Sequence, residues 1–85
     1  MKRYFRRDAE SDLGEGTVYL EVTDGLPSRQ AEVYGGEWRW GDAGHPAHLA
    51  DQPLEALGLE SEHAITAEEF ELAWRQALTG WRPPA

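Results

Sequence analysis

Cysteine is missing from this chain altogether. Its absence excludes a disulfide framework, a thiolate metal site and a cysteine nucleophile, and leaves core packing to stabilise the fold unaided. Also lacking is any run approaching the ~18 apolar residues of a membrane-spanning helix. The basic start Met1–Arg7 leads into acids and not into the hydrophobic region of a signal peptide. The expectation is a soluble cytoplasmic chain with no membrane contact. Phosphate-binding P-loop, GxGxxG, GxSxG and HExxH patterns are all absent, so hydrolase, kinase and dehydrogenase readings lack a nucleophile or cofactor motif. No cofactor is expected.

Basic residues are scarce after Arg7. Lys2, Arg3, Arg6 and Arg7 are half of the eight bases, and residues 8–85 hold all 16 acids against four bases. Such a field repels nucleic-acid phosphates and speeds association with cationic partners. What the chain does have is one domain's worth of sequence: 85 residues, 40 % of them hydrophobic and 11 % aromatic, enough for a single small core over residues 1–85.

Apolar periodicity supplies the elements. Val18, Leu20 and Val22 alternate with polar neighbours in Thr17–Thr23, the pattern of a half-buried strand. Asp24-Gly25-Leu26-Pro27 has turn chemistry, and Ser28–Tyr34 alternates again, with Ala31 and Val33 on one face and Gln30, Glu32 and Tyr34 on the other. Gly35-Gly36 suits a two-residue turn into Glu37–Gly41, which sets Trp38 and Trp40 on one side. Lys2–Arg7 reads as an edge strand guarded by its cations, Asp8–Gly16 as a solvated acidic loop, and Asp42–Pro53 as a connection leading to a short helical turn at Leu54–Gly58.

The sharpest local signal comes last. In Thr66-Ala67-Glu68-Glu69 the spacing predicts a capping box, with the Thr66 hydroxyl taking the Glu69 amide and the Glu69 carboxylate returning to Thr66. Ile65 and Phe70 have the spacing of a hydrophobic staple, and Phe70, Trp74, Ala77, Leu78 and Trp81 fall on one helical face. Leu72 lies off that stripe. Gly80 and Pro83-Pro84 end the helix. The predicted fold is α+β: an antiparallel β-meander of three to four strands with the C-terminal α-helix on one face. That helix is expected to bury Val18, Leu20, Val22, Ala31 and Val33 beneath Phe70, Trp74 and Leu78.

The order of Tyr4–Arg6, Thr17–Thr23, Ser28–Tyr34, Leu49–Leu54 and Ile65–Trp74 resembles a family of small uncharacterised bacterial proteins, a domain of unknown function. The shared features are a strand ending here as Arg29-Gln30-Ala31-Glu32-Val33-Tyr34, a glycine turn, a linker with Leu and Pro, and a closing helix, here Glu69-Phe70-Glu71-Leu72-Ala73-Trp74. The resemblance implies this fold and carries no activity. Small acidic proteins of this kind often serve as partners or antidotes of toxins, which implies an immunity role as one form of function.

Two constellations could carry chemistry. His45-Pro46-Ala47-His48, near Asp42 and Asp51, offers ligand types that transition metals accept, but Pro46 prevents a regular helix from presenting both rings together. These read as solvated loop histidines, as does His63. Glu21 and Glu32 fall on one polar strand face in an unbroken hairpin register, where close carboxylates could raise one another's pKa; exposed strand acids more often form a solvated face. Trp38 and Trp40 are core if the helix covers their face, and a protein-binding anchor if the strand twists outward.

The reading is a non-enzymatic module that binds a basic protein partner through Tyr19, Glu21, Gln30, Glu32 and Tyr34, with no nucleic acid, no metal and no catalytic residue. The alternatives are a small metal-dependent hydrolase using His45 and His48, and a structural homodimer formed through a strand edge or an aromatic patch.

Overall fold

A computed structural model describes residues 1–82. Strands β1 (Lys2–Ser11), β2 (Gly14–Thr23), β3 (Leu26–Tyr34) and β4 (Glu37–Asp42) form one antiparallel sheet in chain order, and helix α1 (Ala67–Gly80) packs on one face of it. The α+β meander with a closing helix is thus the fold that the apolar periodicity predicts. Two-residue turns set the hairpins: Asp24 and Gly25 have φ of 50° and 85°, and Gly35 and Gly36 have 56° and 83°. Positive φ at both central positions matches the right-handed twist of the flanking strands.

Two expectations are corrected in strands β1 to β3. Asp8–Gly16 is not a loop: β1 runs to Ser11 and β2 starts at Gly14, with Glu10 opposite Glu15. Its strand character comes from ladder pairing, which no apolar alternation in that stretch announces. The second correction concerns faces. Val22 pairs with Pro27 but Glu21 pairs with Arg29, so Ser28 is an extra residue, a β-bulge. An unbroken register would set Ala31 opposite Val18. The bulge sets it opposite Tyr19, and Leu20 opposite Gln30.

One inserted residue therefore exchanges the faces of β3 relative to β2. On the α1 side lie the cross-strand rows Arg6–Tyr19–Ala31–Trp40 and Tyr4–Glu21–Arg29–Asp42. Ala31, Trp40, Phe70, Trp74 and Ala77 form that core, with Ile65 packed against it as the staple predicts. Val18, Leu20 and Val22 face the other way. Phe5, Leu20 and Val22 make a second core there under Leu54, Leu57 and Leu59.

That second cover is the segment 43–64, a strap of three single 3₁₀ turns at Pro46–His48, Leu54–Ala56 and Ser61–His63. Side chains of the sheet fasten it: Ala50 N–H donates to Gln30 Oε1 at 2.9 Å and Arg7 Nη1 donates to the Leu57 carbonyl at 2.8 Å. At Gly41 the strap crosses so closely that a Cβ would lie 2.7 Å from the His48 carbonyl carbon, so only glycine fits. Its end pairs with the outer edge of β1, where Ile65 N–H donates to the Tyr4 carbonyl at 2.9 Å.

Helix α1 begins as its sequence dictates, with Glu69 N–H donating to Thr66 Oγ1 at 3.1 Å. The Glu69 carboxylate does not return to Thr66; it turns to Arg6, 3.5 Å from Nη1. Leu78 is exposed and outside the core, because the buried stripe runs through Phe70, Ala73, Trp74 and Ala77. The helix ends at Gly80 and Trp81 N–H caps Ala77; Pro83-Pro84 lie outside the described residues.

Candidate functional site

The bulge separates the five residues that the unbroken register groups together. Tyr19 and Glu21 lie on the α1 face, and Gln30, Glu32 and Tyr34 lie on the strap face. Glu21 and Glu32 consequently do not share a site.

Glu21 is only 1 % exposed and occupied by structure. Arg29 donates to it from Nε at 3.0 Å and from Nη2, Ser28 donates at 2.8 Å, and Lys2 Nζ stands 3.8 Å away. Burial pushes this carboxyl up, but the hydrogen bonds from Arg29 and Ser28, with the charges of Arg29 and Lys2, outweigh it and hold Glu21 below the usual carboxylate range. Arg29 is raised, first by its bonds to Glu21. Its guanidinium lies 4.9 Å from the Phe70 ring centroid and 5.1 Å from that of Trp74. Glu71 Oε1 pairs with Arg29 Nη2 at 2.6 Å and raises Arg29 further. This cluster fastens α1 to the sheet. A carboxylate so tightly paired is a poor proton acceptor.

The histidines are also dispersed. His45 Nδ1 is 3.3 Å from Asp42 Oδ1, and His48 Nδ1 is 3.4 Å from Glu32 Oε1. The His45 ring meets Trp40 edge-on at 5.1 Å and the His48 ring meets Trp81 at 5.0 Å, so both sit against the aromatic end of the α1 core. Among the described residues no three His, Cys, Asp or Glu side chains converge on a metal position. His63 Nδ1 accepts the Glu60 N–H at 2.9 Å and so closes a strap turn.

Trp38 and Trp40 divide the roles left open for them. Trp40 is buried, with its indole N–H on the Trp81 carbonyl at 3.0 Å. Trp38 is half-buried and stacks on Tyr19 at 6.2 Å. Beside this pair, Leu72 and Ala73 of α1 complete a groove between helix and sheet, bounded by Arg6 and Glu69. Leu72 is 60 % exposed. No family model, curated protein or solved structure matches the chain.

Beyond the groove the α1 face of the sheet continues uncovered. The register extends it through the row Asp8–Thr17–Val33–Trp38 and ends with Glu10 opposite Glu15. Like charges directly opposite weaken a strand pair, and this pair has no compensating cation across the ladder. The surface thus has an apolar centre at Tyr19, Trp38 and Leu72 and an acidic margin at Asp8, Glu10 and Glu15. The sequence shows Leu72 out of phase with the buried stripe of its helix and Asp8–Gly16 as acidic, but assigns neither to a binding surface.

Proposed function

We propose that this chain is a non-enzymatic cytoplasmic module that binds a basic protein. The observation carrying the proposal is the groove of Tyr19, Trp38 and Leu72 with Asp8, Glu10 and Glu15 on the same sheet face. Aromatic anchors in a partly desolvated centre supply most of the energy of a protein interface, and rim charges supply steering and partner choice. A partner with Lys or Arg around an apolar anchor complements both parts. Neutralisation of a toxin with a cationic surface, in the manner of an immunity protein, is one concrete form. Of Tyr19, Glu21, Gln30, Glu32 and Tyr34, only Tyr19 lines this groove.

The test is selection of short peptides from a random display library against the intact chain. Enriched peptides are expected to carry basic residues around an aromatic or aliphatic one. Their binding should weaken at least about tenfold in Leu72→Ser, and again as salt rises from about 0.01 M to 1 M, where the screening length shrinks from ~30 to ~3 Å. Leu72 is exposed, so that variant keeps its stability within about 0.5 kcal/mol. Enrichment of acidic or neutral peptides, or binding indifferent to Leu72→Ser, overturns the proposal.

A further inference from the structure

The strap face holds a cavity independent of the groove. It encloses about 240 Å³ between the sheet and the strap, with Val18, Leu20, Leu57 and Leu59 as its apolar walls. Two opposite charges border it. Arg7, Val18, Glu32 and Arg39 form one cross-strand row. Arg7 and Glu32 stand about 10 Å apart at the backbone, two strand spacings, with valine between them, and Arg39 flanks Glu32 on the side away from the cavity lining. Each is held in place: Arg7 by the Leu57 carbonyl, and Glu32 by Gln30 Nε2 at 3.3 Å and by His48.

Tyr34 adds a third polar group to the lining. Its ring lies over Gly16, where a Cβ would come within 2.6 Å of Cδ1, so the glycine makes room for it. Burial, and then the Glu32 charge, push the phenol up, and like any tyrosine it is a hydroxyl donor at neutral pH. Within the described residues that hydroxyl has no hydrogen-bond partner.

From this juxtaposition we infer that the strap cavity binds a small apolar α-amino acid. The carboxylate lies toward Arg7 and the Tyr34 hydroxyl, the ammonium toward Glu32, and the side chain against Val18, Leu20 and Leu57. Charge decides between ligand classes: a simple carboxylate offers Glu32 no ammonium and a simple amine offers Arg7 no carboxylate, while a zwitterion answers both. Size decides within the class. The cavity has about eight times the volume share of one water molecule in the liquid, which suits a compound of about eight or nine non-hydrogen atoms such as valine or leucine. It is smaller than the usual pocket for a drug-sized ligand, roughly 300–1,000 Å³.

The probe is L-leucine, titrated into the isotope-labelled intact chain and followed by amide chemical shifts. Isocaproate lacks the ammonium, isoamylamine lacks the carboxylate, and glycine lacks the apolar body. Leucine is expected to saturate with shifts centred on Arg7, Val18, Glu32 and Leu57, and each comparison compound to bind at least about tenfold more weakly, a difference of ~1.4 kcal/mol or more. In Glu32→Gln the preference for leucine over isocaproate should vanish. The ligand series on the unaltered chain decides the matter even if that variant is unstable. Isocaproate binding as well as leucine, or shifts that fail to saturate or fall elsewhere, overturns the inference and leaves the groove proposal untouched.

Discussion

The Ser28 hydroxyl meets the Glu21 carboxylate at 2.8 Å, at the one place where the pairing of β2 with β3 shifts by a residue. The same hydroxyl lies 3.2 Å from the Glu21 carbonyl and 2.8 Å from Thr23 Oγ1, so the bulge is tied on both sides. Through that shift Arg29 becomes the direct partner of Glu21 and the two meet under α1. The bulge thus determines which side chains the helix covers.

Ser28→Ala should destabilise the chain by about 1.5–3 kcal/mol, the range for a hydrogen bond to a charged group. Ser28→Thr, which restores the hydroxyl, should recover most of it. Urea unfolding of the three proteins checks the prediction, and an alanine variant as stable as the parent refutes it.

Acid should weaken the fold through Glu21. Its folded pKa lies below the ordinary glutamate value of about 4.3, so its contribution is fully present above that value and is lost as pH falls through the folded pKa. Stability followed from pH 7 downward should drop below about pH 4, and less steeply in Glu21→Gln. An equal acid slope in both proteins would exclude Glu21 as a source.

At α1 the cap and the core should separate in magnitude. Thr66→Ala removes the acceptor of the Glu69 N–H and should cost about 1 kcal/mol. Trp74→Ala opens a hole between Phe70, Trp40 and the Arg29 guanidinium, for which about 3–5 kcal/mol is expected. Comparable melting temperatures for Trp74→Ala and the parent would refute the proposed core.

Zinc, nickel and manganese should leave the melting temperature nearly unchanged, because a ligand stabilises only a state it binds and the two strap imidazoles each face a different carboxylate. Saturable one-to-one metal binding that disappears in His45→Ala and His48→Ala would restore the metal-dependent reading.

What could be read in the sequence follows the range of the forces involved. Thr66, Ile65 and Phe70 announce α1 through neighbours in the chain, and Gly35-Gly36 announces its turn through backbone sterics alone. Val18, Leu20 and Val22 are legible as one face of a strand, yet what covers them depends on Ser28 stepping out of the ladder. Pro27, which cannot donate to a ladder, marks an irregularity there but not which residue steps out. The strap was unreadable for a related reason: Leu54, Leu57 and Leu59 have too little regular spacing to signal cover. The groove fell between these cases, since Leu72 was visible as an anomaly while Asp8, Glu10 and Glu15 gain a common face only through pairing.

Both covers of the sheet are encoded after it. When a nascent chain has emerged as far as Asp42, all four strands can pair, but Phe5, Leu20, Val22 and Trp40 still face solvent, because the strap and α1 have not yet been made. At ~5–20 residues per second the remaining chain takes a few seconds to follow. During that interval the sheet presents two apolar faces and an open β1 edge. Lys2, Arg3, Arg6 and Arg7, crowded onto that edge strand, then act as gatekeepers against pairing with another nascent chain, a duty that ends for the Tyr4–Phe5 stretch once Ala64 and Ile65 dock beside it.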